Sequence, residues 1–168
     1  KEIEEILNHT DIKLNKKYYK NEKDLFKLLQ HIKSKNKKIV LTNGCFDILH
    51  PGHIHLLQEA KKLGNFLIVA INSDNSVNKL KGSGRPFNRL SSRIKMLTSL
   101  ACVDLVISFN EISPENIIKK ISPDILVKGG DYKVNNIIGG NYVKSYNGQV
   151  NVIKLKKGYS TSKILSRN

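Results

Sequence analysis

The chain has 168 residues, with 29 Lys plus Arg against 14 Asp plus Glu, a formal charge of +15 at pH 7. That length suits one domain that buries about two-thirds of its unfolded surface, and 39% hydrophobic with 26% charged residues excludes a chain disordered throughout. No apolar run approaches the roughly 18–20 residues of a membrane span and no charged-then-apolar leader opens the sequence, so a cytoplasmic protein without membrane contact is expected. Cys45 and Cys102 stand far apart, which leaves neither a disulfide framework nor a CxxC metal pair.

Such a charge raises nucleic-acid binding as a function class. Against it, only Arg85, Arg89, Arg93 and Arg167 are arginines, the lysines run from Lys1 to Lys163 without clustering, and the aromatics form no stacking signature. The surplus reads as compositional drift toward Lys, Asn and Ile, and no nucleic-acid partner is expected.

Residues 1–20 carry Ile3, Ile6 and Leu7 and then a Lys-rich stretch, read as a peripheral helix and linker. The chain opens on Lys1 rather than Met, as a piece of a longer or processed product would. Asn21 is placed to cap a helix whose Leu25, Leu28, Leu29 and Ile32 recur at helical spacing, ending near Lys35. Residues 1–35 are thus expected to flank a domain spanning 36–168. Lys38–Thr42 predicts a buried strand, Pro51–Leu63 a helix closed by Gly64, and Phe66–Asn72 a second buried strand. A polar loop through Asn88, a helix from Ser91 to about Leu100 and a strand at Val103–Ser108 follow. Ser113 and Pro114 open a helix, Asp124–Val127 is a strand, and a Gly-rich segment leads to a helix near Gly139–Tyr146. A strand at Gln149–Leu155 and a helix from Ser160 complete the chain. Alternation of apolar strands with helices predicts an α/β fold, a doubly wound, Rossmann-like, five-stranded parallel sheet with helices on both faces. Ligands are then expected just beyond the carboxyl ends of the strands.

There the first strand is followed by Asn43-Gly44-Cys45-Phe46-Asp47-Ile48-Leu49-His50-Pro51-Gly52-His53. A glycine turn and a helix N-terminus bearing two histidines offer backbone N–H groups, a partial positive charge and imidazole donors, a combination suited to phosphate. Gly52 lets an anion approach the backbone closely. Zinc is the competing reading of the pair, but zinc helices space their histidines at i, i+4 beside an acid, whereas these stand at i, i+3 across Pro-Gly, and no metal ligand is assigned. No Walker-A pattern occurs.

HPGH after NGCFD resembles the HxGH signature of the nucleotidyltransferase superfamily. Asn72-Ser73-Asp74, Leu80-Lys81-Gly82, Val127-Lys128-Gly129-Gly130-Asp131-Tyr132 and Gly158-Tyr159-Ser160-Thr161-Ser162 are similar to the heptose 1-phosphate adenylyltransferases, over about residues 36–167. The resemblance implies transfer of AMP from ATP to D-glycero-β-D-manno-heptose 1-phosphate, with Mg²⁺ accompanying ATP, in the making of the lipopolysaccharide inner core. It implies that His50, His53 and Lys81 are catalytic. Asn43, Gly44, Cys45, Phe46, Gly52, Lys79, Arg93, Lys128, Gly129, Gly130, Asp131, Ser160 and Thr161 would hold the nucleotide, and Asp47, Asn72 and Asp74 the sugar phosphate. Lys79 and Lys81 match a Lys-x-Lys of related cytidylyltransferases. An arginine that some relatives carry three residues before Gly158 is Leu155 here, with Lys156 and Lys157 beside it. A homodimer and a fused or cooperating sugar kinase are further implications. The alternative is a cytidylyltransferase for glycerol 3-phosphate or ethanolamine phosphate.

Overall fold

The computed structural model describes residues 17–18 and 22–154. Helix α1 (Glu22–Ser34) precedes strand β1 (Ile39–Gly44), α2 (Pro51–Lys62), β2 (Phe66–Asn72), α3 (Asp74–Lys81) and α4 (Leu90–Thr98). Then follow β3 (Leu105–Phe109), α5 (Glu115–Ile121), β4 (Ile125–Gly129), a 3₁₀ turn at Val134–Asn136, α6 (Gly140–Ser145) and β5 (Gln149–Ile153). The strands form one sheet in the order β3-β2-β1-β4-β5. All pairings are parallel, with Ile39 opposite Phe66 and Val40 opposite Ile125. The expected doubly wound architecture is therefore observed. Its strand order reverses between β1 and β4, which opens a crevice at their carboxyl ends.

Each strand feeds two cores because successive side chains point to opposite faces. On one face Ile39, Leu41, Ile68, Ala70 and Leu126 meet Leu28, Leu29 and Ile32 of α1, the three isoleucines Ile117, Ile118 and Ile121 of α5, and Val143 of α6. On the other, Val40, Leu67, Val69, Ile71 and Val127 meet Leu56, Leu57 and Ala60 of α2 and Leu97 of α4. Each fully buried Leu or Ile contributes on the order of 1.5–3 kcal/mol. Strands buried on both faces explain why FLIVAIN in β2 lacks any polar alternation.

Three expectations change. The boundary near residue 35 places α1 outside the domain, yet Ile32 is 1% exposed and α1 forms part of the core. The segment expected to be linker reaches the sheet at residues 17–18, where Tyr18 bridges Val106 in parallel and its hydroxyl lies 3.0 Å from Ser108 Oγ. The loop expected through Asn88 begins instead with α3. Ser73 caps that helix by accepting from the Ser76 amide at 3.3 Å, but only Ser76 and Val77 are buried, so no apolar stripe betrays it. The first helix of residues 1–20 and the helix from Ser160 lie outside the described residues. Among the described residues no helix is long and apolar enough to cross a membrane.

Candidate active site

The carboxyl end of β1 leads into a turn in which Phe46 takes a positive φ of 46° and buries its ring. His50 then forms the N-cap of α2 in extended backbone, Pro51 occupies the first turn, and Gly52 is buried. This brings His50 and His53 into a stack, ring centroids 3.8 Å apart and 25° between planes, with the Phe46 ring 5.1 Å from His53. No acidic residue stands in the first turn of α2, so its N-terminal positive charge is left for a ligand. The Nδ1 atoms of both histidines are buried and, among the described residues, accept from or donate to no other residue. Burial holds His50 below the ordinary histidine value, against a smaller opposing pull from its own backbone. Burial, and then the neighbouring charges of His50 and Lys81, lower His53 from 6.5 to about 4. Both rings are neutral at pH 7, each with one N–H to donate.

Behind the histidines lies a polar lock. Arg93 of α4 is fully buried, and its Nη1 donates to the carbonyls of Cys45 at 2.8 Å and Asn72 at 2.7 Å. Its Nε donates to Asn88 O at 2.9 Å, and Nη2 to Asp74 Oδ1 at 2.7 Å. The expected hold of Arg93 on the nucleotide is thereby corrected, because Arg93 spends these donors on the protein and faces no solvent. Asp47 also differs from expectation. Its carboxylate accepts from Arg85 Nε at 2.7 Å and from the Asn88 amide at 2.9 Å, and is only 1% exposed, so it latches the α3–α4 loop instead of meeting substrate. Burial pushes that carboxyl up, but the Asn88 amide, the Arg85 side chain and the Phe87 amide together hold it below the ordinary carboxylate value.

Lys79 and Lys81 occupy the last turn of α3, not a loop. Two residues on a helix are about 200° apart, so only one of the pair faces the site, and the charge acting on His53 is that of Lys81. On the other side of the sheet edge a cleft of about 320 Å³ is lined by Asn43, Gly44, Cys45, Asn72 and Lys128, with Ile112, Ile138 and Tyr132 among its apolar walls. Asn72 is turned partly inward, its amide donating to Ser76 Oγ at 2.9 Å. Gly129 ends β4. Gly130 takes a φ of +129°, a backbone that a side chain would strain, and donates to Ile153 O at 3.0 Å. Asp131 follows on the exposed surface. Ser160 and Thr161 lie outside the described residues. Sequence reasoning missed Asn88 and the wall residues Ile112 and Ile138, and no local signal marks them.

A parallel sheet whose carboxyl edge carries a histidine-bearing helix N-terminus, free of acid and flanked by lysines, defines a nucleotide-binding α/β protein of the HxGH kind. The chain belongs to the cytidylyltransferase-like family, which residues 41–167 match. It is 48% identical over 147 residues to the bifunctional protein HldE of Pasteurella multocida and 47% identical over 147 residues to that of Hydrogenovibrio crunogenus. Each alignment covers 88% of this chain, which spans 31% of the length of either relative. Among solved structures, the lipopolysaccharide core biosynthesis protein of Thermoplasma volcanium is 30% identical with a TM-score of 0.59, over 74% of this chain and 99% of that one. Pantoate-beta-alanine ligase of Francisella tularensis shares the fold, with a TM-score of 0.60 at 19% identity over 83% of this chain and 67% of that one.

Two outcomes follow from this geometry. Arg93→Ala strands the carbonyls of Cys45, Asn72 and Asn88, and the expected loss in urea unfolding is at least about 3 kcal/mol, at roughly 1–3 kcal/mol per buried unpaired group; a loss below 1 kcal/mol would contradict the lock. As pH falls from about 6.5 toward 4, the unfolded chain protonates His53 while the folded chain does not. Folding stability therefore declines through that window. His53→Gln is expected to flatten the decline in unfolding titrations at pH 7, 6 and 5.

Proposed function

We propose that the chain transfers AMP from ATP to D-glycero-β-D-manno-heptose 1-phosphate, giving ADP-heptose and pyrophosphate for the lipopolysaccharide inner core. The observation that carries the reading is the neutral, stacked His50–His53 pair on an acid-free helix N-terminus. Support also comes from the HldE relatives and from the lipopolysaccharide core biosynthesis protein of similar fold.

In this reading an oxygen of the sugar phosphate attacks the α-phosphorus of ATP. A new P–O bond forms, the bond to the bridging oxygen of the β-phosphate breaks, and pyrophosphate leaves with the electron pair. The nucleophile is already an anion at pH 7, so no strong base is required. The protein's task is to bring two polyanions together and stabilise charge on the phosphoryl oxygens. His50 and His53 donate to the α-phosphate, Lys81 adds charge from the end of α3, and Asn43 to Phe46 wrap the nucleotide through backbone groups. Gly129, Gly130 and Asp131 receive adenine and ribose.

Among the described residues no group of three or more His, Cys, Asp or Glu is placed to hold a metal ion. Asp47 and Asp74 are engaged by arginines. This donor set fits Mg²⁺ carried on the ATP phosphates, where it neutralises charge, and does not fit a dedicated protein cage. The reading has the chain in the cytoplasm with its ATP, joined to or working beside a sugar kinase that supplies the 1-phosphate; the name of the relatives, bifunctional proteins of which this chain spans 31%, supports a second activity in one polypeptide.

Pyrophosphate release from ATP or CTP, each with heptose 1-phosphate or glycerol 3-phosphate, tests the assignment. ATP with the heptose is the expected productive pair, and turnover with CTP alone would overturn it. In the same assay His53→Ala is expected to lower turnover by about 10²–10³-fold without loss of secondary structure by circular dichroism. Near-normal turnover would remove His53 from the mechanism.

A further inference from the structure

The end of β4 places a cation that pairs with no carboxylate among the described residues. Leu126 and Lys128 share one face of the strand, the face covered by α1, α5 and α6, whereas Val127 points toward Leu56, Leu57 and Ala60 of α2. Asn43 likewise follows Leu41 on that face of β1. Lys128 Nζ donates to Asn43 O at 3.3 Å and to Asn43 Oδ1 at 3.2 Å, both uncharged acceptors. Among the described residues no Asp or Glu lines the cleft it enters. Burial pushes the ammonium below the ordinary lysine value, so the charge is held at a cost. An ammonium has three donors; two go to one asparagine at 3.2–3.3 Å and the Tyr132 ring lies 5.9 Å from Nζ, which leaves an N–H for an anion.

Position decides which anion. The histidine pair lies on the α2 side of the β1 carboxyl end, and the cleft of Asn43, Asn72 and Lys128 on the opposite side, with Gly44 and Cys45 between them. A reaction that joins two phosphates needs two anion subsites converging on one phosphorus from different sides. The walls also differ in character. Around Lys128 stand the amides of Asn43 and Asn72 and the apolar Ile112, Ile137 and Ile138, a mixture suited to a polyol's hydroxyls and C–H faces.

We propose that the Asn43–Lys128 cleft is the acceptor subsite, where Lys128 grips the phosphate monoester of a polyol or sugar and Asn43 meets its hydroxyls. This inference rests on the adenylyltransferase reading. It reassigns Lys128 from the nucleotide, as expected from resemblance, to the acceptor.

The test uses the intact chain with Lys128→Met and Lys128→Arg. Steady-state assays give KM for ATP and for heptose 1-phosphate, and calorimetry gives the affinity for ATP and for glycerol 3-phosphate separately. Lys128→Met is expected to weaken both phosphate monoesters by about 10–100-fold, the worth of a charge-assisted hydrogen bond, while ATP affinity stays within twofold; Lys128→Arg restores most of the loss. Loss of ATP affinity with the monoesters unaffected would return Lys128 to the nucleotide, and no change in either would make it a structural group. The parent reading fails separately, if wild-type protein releases no pyrophosphate from ATP with any sugar phosphate. The calorimetric comparison of wild type with Lys128→Met still decides the subsite in that case, and equal monoester affinities would overturn it.

Discussion

A guanidinium cannot be buried without partners, and the site is arranged around that constraint. Arg93 finds its acceptors in the carbonyls that end β1 and β2, the carbonyl of Asn88 in the α3–α4 loop, and the Asp74 carboxylate at the start of α3. These segments are distant in sequence, and Arg93 ties the turn after β1 and the α3–α4 loop to the end of β2, which the β3 ladder already holds at Asn72 and Phe109. Asp47 repeats the device one step further out. It binds Arg85 and the Asn88 amide while the Asn88 side chain donates back to Asp47 O at 2.6 Å. The chain therefore enters α2 from a fixed point, and the stacking of His50 on His53 inherits that rigidity. Preorganised donors of this kind need little reorganisation when charge develops on a bound phosphoryl group.

The electrostatics divide into two parts that the net charge of +15 conceals. Much of the lysine surplus is structural or solvated. Lys61 pairs with Asp104, Lys119 with Glu115, and Lys33 donates to the carbonyls of Ile121 and Ser122 at the C-terminal end of α5. An exposed pair such as Lys119–Glu115 contributes about 0–1 kcal/mol. A few charges lie at the carboxyl edge of the sheet instead, Lys81 near His53 and Lys128 in the cleft across from it.

Most of the fold was legible in the sequence because strands buried on both faces leave unbroken apolar runs, and β2 matches its expected span, Phe66–Asn72. Helix α3 was not legible, since a helix that buries only Ser76 and Val77 looks like a polar loop. The histidine pair was legible from HPGH alone. The roles of Arg93 and Asp47 were not, because a motif shows that a charged residue is near the site but not whether its partners will be a ligand or the protein's own backbone. Arg85 lies 38 positions from Asp47, and no local pattern announces their contact.

The central claim is that the N-terminus of α2 and its two histidines receive the triphosphate. Nitrogen-15 NMR of the imidazoles, with ATP titrated into the protein at pH 7, measures this most directly. The account predicts that the ring nitrogens of His50 and His53 shift together and saturate with ATP, while His55 on the same helix does not follow. Saturable ATP binding that leaves the His50 and His53 resonances unmoved would contradict it.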